Sequence, residues 1–235
     1  MVPETVKPQV IAHRGASTGA PENTLAAFRL AVAQGAYGVE LDVRRAGGGA
    51  LVVHHDGNLS DGRRVGATLR SELPPSVPTL GEVLAAGAWF VNIEIKHDAR
   101  EPSRGPSGLL ADDVVAEVAA HGAEGRVLVS SFDWATVCRV RQMAPELATA
   151  WLVWTGTGGE PREWCARAAG AGLQAINPQD ALVDDALVAT AHRAGLAVNV
   201  WTVDDPDRIR TLARLRVDAV ITNDPATALA ALQAL

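Results

Sequence analysis

The chain has 235 residues, 48% hydrophobic and 20% charged, a globular mixture that excludes disorder for its bulk. Its net charge of −6, with no dense Lys/Arg run, argues against nucleic-acid binding, and no apolar run reaches the ~18–20 residues of a membrane-spanning helix. Met1–Gln9 lacks the apolar stretch of a secretory signal, and Cys138 and Cys165 fit neither a disulfide framework nor a CxxC metal spacing, so a cytoplasmic protein with reduced thiols is expected.

Apolar β-type runs alternate with Ala/Leu-rich helical runs from end to end, and no linker interrupts them. Strands are expected at Val10–His13, Gly38–Asp42, Phe90–Lys96, Val127–Ser131, Thr149–Val153, Ala175–Asn177, Ala197–Thr202 and Ala219–Thr222. Helices are expected at Thr24–Ala33, Leu80–Ala86, Leu109–Ala120, Trp134–Met143, Pro161–Ala169, Asp185–Ala194, Asp205–Leu215 and Pro225–Leu235. Eight strands alternating with eight helices predict an α/β fold, a (β/α)8 TIM barrel in one domain over residues 1–235. A doubly wound open sheet is the alternative. Polar residues at nearly every strand's carboxyl end favour the barrel, whose active sites sit there.

Helix starts carry physical signatures. Asn23 or Thr24 caps the first helix, and Thr79 with Glu82 resembles a capping box. Asp204-Asp205-Pro206 and Asn223-Asp224-Pro225 place acidic or amide residues before a first-turn proline. After Asp42, glycines 47–49 separate two β-like runs and predict a β-hairpin extension of strand two, which returns His55 roughly opposite Asp42. Residues 58–77 and 97–108 are loop-like and are candidates for substrate-gripping or lid segments.

The chemistry concentrates at strand ends. Glu40 and Asp42 are two residues apart and share one side of a strand, and Glu94 and Lys96 repeat that spacing. Such carboxylates suit a hard divalent cation, or else a buried ion-pair network. His13 and His55 titrate near neutrality and can move protons, while Arg14 offers a planar fork for phosphate oxygens. Together these residues point to phosphoester chemistry.

The ordered segments Ile11-Ala12-His13-Arg14-Gly15, Pro21-Glu22-Asn23-Thr24, Glu40-Leu41-Asp42-Val43, Val53-His54-His55-Asp56, Pro78-Thr79-Leu80, Glu94-Ile95-Lys96, Ser130-Ser131-Phe132, Val200-Trp201-Thr202-Val203 and Ile221-Thr222-Asn223-Asp224-Pro225 resemble the glycerophosphodiester phosphodiesterases over nearly the whole chain. The resemblance implies hydrolysis of glycerophosphodiesters to glycerol 3-phosphate and an alcohol, using one divalent cation, Mg²⁺ or Ca²⁺. It assigns the metal to Glu40, Asp42 and Glu94, and acid–base work to His13 and His55. It assigns substrate contact to Arg14, anion stabilisation to Lys96, the pocket edge to Glu22 and an apolar wall to Trp201. Two departures stand out: His54 where the family often has an apolar residue, and a short 59–77 segment, which implies a more open mouth. The expected partner is a small glycerophosphodiester, with no nucleic acid and no membrane insertion. The expected route has two steps: attack by the glycerol 2-hydroxyl, then opening of a cyclic phosphate by water. A lysophospholipase D, a phospholipase C-like enzyme or a non-catalytic phosphoester-binding barrel are the rival readings.

Overall fold

The computed structural model describes residues 7–96 and 109–235. The proposed second lid segment, 97–108, lies outside them. Strands β1 (Gln9–His13), β2 (Gly38–Arg45), β4 (Phe90–Ile95), β5 (Val127–Ser131), β6 (Ala148–Val153), β7 (Ala175–Pro178), β8 (Ala197–Val200) and β9 (Ala219–Thr222) form a parallel barrel. It closes because β1 pairs with both β2 and β9. The intervening β3 (Leu51–Val53) runs antiparallel to β2 and completes the expected hairpin.

Helices α1 (Leu25–Ala33), α2 (Leu80–Ala85), α3 (Leu109–Ala120), α4 (Trp134–Met143), α5 (Pro161–Gly170), α6 (Asp185–Arg193), α7 (Pro206–Arg214) and α8 (Pro225–Gln233) connect the strands. Their starts follow local chemistry. Thr24, rather than Asn23, caps α1 by accepting from the Ala27 amide. Thr79 and Glu82 bond reciprocally at α2 as a capping box. Asp205 and Asp224 cap α7 and α8, each followed by proline at the first helical position.

Alternation along each strand sorts side chains between two cores. One face packs on the helices, as with Val39, Leu41, Val91 and Ile93 beneath Phe28 and Leu80. The other fills the barrel, where Ile11, Ala219 and Ile221 meet Phe90 and Trp201, and Leu128, Ala150 and Ala175 pack on the opposite side. Gly38 permits this closeness: a Cβ there would lie 2.3 Å from the Phe90 carbonyl oxygen on β4. Filling the lower barrel with apolar groups leaves only its upper, carboxyl end for polar chemistry.

Several strand ends and the hairpin register differ from sequence expectation. β2 continues past Asp42 to Arg45 because β3 supplies it with hydrogen-bond partners. The hairpin register pairs Val43 with Val53, so His54, not His55, comes opposite Asp42, and its amide donates to the Asp42 carbonyl at 2.9 Å. The 58–77 segment carries a small core of its own and, at Asn58, Leu59 and Ser60, lines a groove shared with Glu22. Leu59, Val65, Leu73 and Val77 pack against Ala46 and Val52 as a small apolar cluster beneath the hairpin, and none of them lines the central cleft. No described helix is long and apolar enough to cross a membrane.

Candidate active site

Register places the polar side chains next to one another. His13 pairs with Glu40, Glu40 with Asn92, Asp42 with Glu94, and Glu94 with Ser130. The barrel-facing carboxylates Glu40, Asp42 and Glu94 are all buried, and each offers an oxygen within 4.8 Å of the others. Lys96, just past the end of β4, stays tied to β2 through its amide, which donates to the Val43 carbonyl. Its Nζ lies 2.9 Å from Asp42 Oδ1 and 2.6 Å from Glu94 Oε1.

Arg14 and Asn23 both adopt left-handed backbone, with φ of 57° each. That conformation is uncommon for residues other than glycine and is tolerated best by Asn. It turns the Arg14 amide onto Glu40 Oε2 at 3.0 Å and the guanidinium Nε to 3.3 Å from Asp42 Oδ2. Asn23 donates to Asp42 Oδ2 at 2.7 Å and accepts from the Asp42 amide, holding that carboxylate from behind. Gly15 follows with φ of +84°, and a Cβ there would meet Ala27 of α1 at 2.6 Å. The chain can therefore leave β1 only through a glycine at this point.

His13, Arg14, Glu40, His55, Glu94, Lys96 and Trp201 line one cleft. Asp42 lies behind it, and Glu22 sits at the rim, where both carboxylate oxygens accept from Arg14 Nη1 at 3.0 Å. Glu22, His54 and Asp56 line an adjoining groove instead. His55 reaches the cleft because β3 ends at Val53 and strand alternation no longer governs the side chains beyond it. Phe132, Leu152, Trp201 and Ile221 form the cleft's apolar side, with Phe132 edge-on to Trp201 at 5.4 Å between ring centres.

The electrostatics follow from this crowding. Burial, with Asp42 and Glu94 close by, pushes the Glu40 carboxyl well above the usual range. Burial lifts Glu94 to about 7 against the pull of Lys96. Burial acts upward on Asp42 too, but Lys96 and Arg14 outweigh it and hold that carboxyl below its ordinary value. Burial lowers the pKa of both His13 and His55, so each ring favours its neutral, proton-accepting form. Three buried carboxylate oxygens without sulfur or imidazole suit a hard divalent cation such as Mg²⁺ or Ca²⁺.

Sequence reasoning missed the groups behind the histidines. His13 Nδ1 bonds Asn223 Oδ1 at 2.8 Å, and His55 Nδ1 bonds Asp56 Oδ1 at 2.8 Å. Asn23 and Asn223 were legible as residues preceding helices, yet Thr24 and Asp224 do the capping and leave both amides to the site. The signal was an extra amide beside a residue already sufficient as the cap.

Residues 13–227 match the model of the glycerophosphoryl diester phosphodiesterase family. The chain is 30% identical over 248 residues to a glycerophosphodiester phosphodiesterase of Caldanaerobacter subterraneus subsp. tengcongensis, covering 94% of this chain and 96% of that one. Among solved structures it is similar to an Oleispira antarctica phosphodiesterase in complex with the product sn-glycerol-3-phosphate. That structure has a TM-score of 0.82 and 28% identity, with 97% of each chain covered. It is also similar to a glycerophosphodiester phosphodiesterase from Thermotoga maritima, with a TM-score of 0.82 and 27% identity, covering 97% of this chain and 99% of that one. The chain, with this barrel and this cleft, belongs to the glycerophosphoryl diester phosphodiesterase family and is an enzyme of that class.

Proposed function

We propose that this enzyme hydrolyses glycerophosphodiesters to glycerol 3-phosphate and an alcohol, with His13 and His55 as general acid and base and one divalent cation held by Glu40, Asp42 and Glu94. One observation carries the reading: both histidines line the same cleft as Glu40, Glu94, Arg14 and Lys96, with Asp42 behind it. When bound, the cation supplies Lewis-acid neutralisation of charge on oxygen. Arg14 and Lys96 place positive charge where phosphoryl oxygens would lie. One ring accepts the proton of the attacking glycerol 2-hydroxyl, and the other protonates the departing alcohol. The roles reverse when water opens the cyclic phosphate. Trp201 and Phe132 exclude water from the apolar side and leave room there for the alcohol. The small-molecule substrate agrees with the glycerol-3-phosphate complex of the Oleispira relative.

Two assays test this function together. Glycerophosphocholine is turned over with Mg²⁺ or Ca²⁺ and not in excess chelator. An analogue without the glycerol 2-hydroxyl is inert under the same conditions. Turnover in chelator contradicts the metal assignment, and rapid hydrolysis of the analogue contradicts the cyclic route.

A further inference from the structure

We propose that Asp204 is a positioning residue: through the side-chain amide of Asn223 it holds His13 with a proton on Nδ1 and the Nε2 lone pair free for the substrate's proton. The inference rests on the acid–base role given to His13 above.

Asp204 Oδ1 accepts from the Asn223 backbone amide at 2.8 Å and from Thr222 Oγ1 at 2.9 Å. Asp204 Oδ2 accepts from Asn223 Nδ2 at 2.7 Å. A carboxylate has no proton to give, so Asn223 must turn its NH₂ toward it. Asn223 Oδ1 then faces His13 Nδ1 at 2.8 Å, and that oxygen is an acceptor only. His13 must therefore carry its proton on Nδ1. Ser17 Oγ lies 3.1 Å from the same Asn223 oxygen and 3.2 Å from the His13 carbonyl, and its rotatable hydroxyl accommodates this orientation. In the neutral ring the lone pair is left on Nε2, which lies on the Glu40 side, 4.0 Å from Glu40 Oε2. Asp204 has no capping duty that would explain this arrangement, because Asp205 caps α7 and Asp224 caps α8. The second histidine is oriented without a relay, since Asp56 contacts His55 Nδ1 directly.

An isosteric change makes the idea testable. In Asp204→Asn the new side-chain oxygen keeps accepting from the Asn223 amide and Thr222, which turns its NH₂ toward the Asn223 side chain. Asn223 must then rotate, present its oxygen to residue 204 and present its NH₂ to His13. His13 is thereby driven to the opposite tautomer, with its proton on Nε2. The double variant Asp204→Asn with Asn223→Asp restores an acceptor facing Nδ1 and so restores the original tautomer.

Ring-¹⁵N NMR of the whole protein, at a pH where the ring is neutral, reads the tautomer directly once the His13 signals are assigned by their loss in His13→Gln. The expected results are Nδ1–H in wild type, Nε2–H in Asp204→Asn and Nδ1–H again in the double variant. In parallel, kcat on glycerophosphocholine falls about 10- to 100-fold in Asp204→Asn, KM changes by less than about 3-fold, and the double variant recovers most of the loss. Nε2–H in wild type, or an unchanged tautomer in Asp204→Asn, overturns the proposal. Tautomer inversion with kcat unchanged overturns its catalytic half. If the tautomers behave as stated but wild type releases nothing from glycerophosphocholine, the relay stands and the proposed function fails.

Discussion

His55→Ala lowers kcat on glycerophosphocholine by about 10²–10⁴-fold, the range for losing a positioned acid–base group, and leaves the folded protein intact. The ring is half-buried at the cleft and, among the described residues, bonds the exposed Asp56 carboxylate, so truncation opens no core cavity. The His55 carbonyl accepts from Arg44 Nε at 2.9 Å, a backbone link that survives in the variant. His54→Ala is the control. Its ring bonds the Asp56 carbonyl and lines the adjoining groove, so kcat stays within about 3-fold of wild type, well short of an acid–base loss. Steady-state kinetics and a melting curve on the two variants decide the matter. The reverse pattern would show that the wrong histidine of the pair has been assigned.

The pair also shows what a sequence can and cannot disclose. The alternation of strands and helices was readable because each strand is a short apolar run and each helix start has its own cap, as at Thr79 and Glu82. The carboxylates were readable because strand geometry fixes which side residues i and i+2 occupy. Hairpin register was not. Its turn can close at any of several glycines, and the β2–β3 pairing set Asp42 opposite His54. His55 still enters the cleft because the strand stops at Val53, a fact of tertiary pairing rather than of local pattern. The apolar residues between 59 and 77 were equally opaque: they are too sparse to form an element and gain their role only by packing under the hairpin. Contacts such as His13 to Asn223 join residues at opposite ends of the chain and arise only when β1 closes the barrel against β9.

Lys96→Met has the largest expected effect on stability, about 3–5 kcal/mol in chelator near neutral pH, because it removes the cation beside buried Glu94 and leaves buried Asp42 to Arg14 and Asn23. Lys96 Nζ is the cation within 2.9 Å of Asp42 and 2.6 Å of Glu94. The loss depends on pH with a definite sign. Glu94 titrates at about 7 in the folded protein against an ordinary 4.5. A raised carboxyl of this kind favours folding below the ordinary value, and that benefit is lost as pH rises through 7. Removing Lys96 takes away the downward pull on Glu94 and widens this window. The deficit of the variant is therefore larger at about pH 8 than at about pH 5. A divalent cation bound to the acidic trio opposes the same repulsion, so saturating Mg²⁺ or Ca²⁺ raises stability more at the higher pH in wild type and returns part of the loss in Lys96→Met. Denaturant titrations at both pH values, with cation and with chelator, measure all of these terms. A deficit that is equal at both pH values would mean that Lys96 is not the charge compensating these carboxylates.

The central claim concerns which phosphoester bond the cleft breaks. In the proposed function, Arg14 and Lys96 hold the phosphoryl group beside both histidines, and the apolar side lined by Trp201 and Phe132 takes the departing alcohol. Phosphorus-31 NMR of glycerophosphocholine, incubated with the wild-type enzyme and a divalent cation, identifies the phosphorylated product directly. The expected products are glycerol 3-phosphate and free choline. Phosphocholine and free glycerol would contradict it.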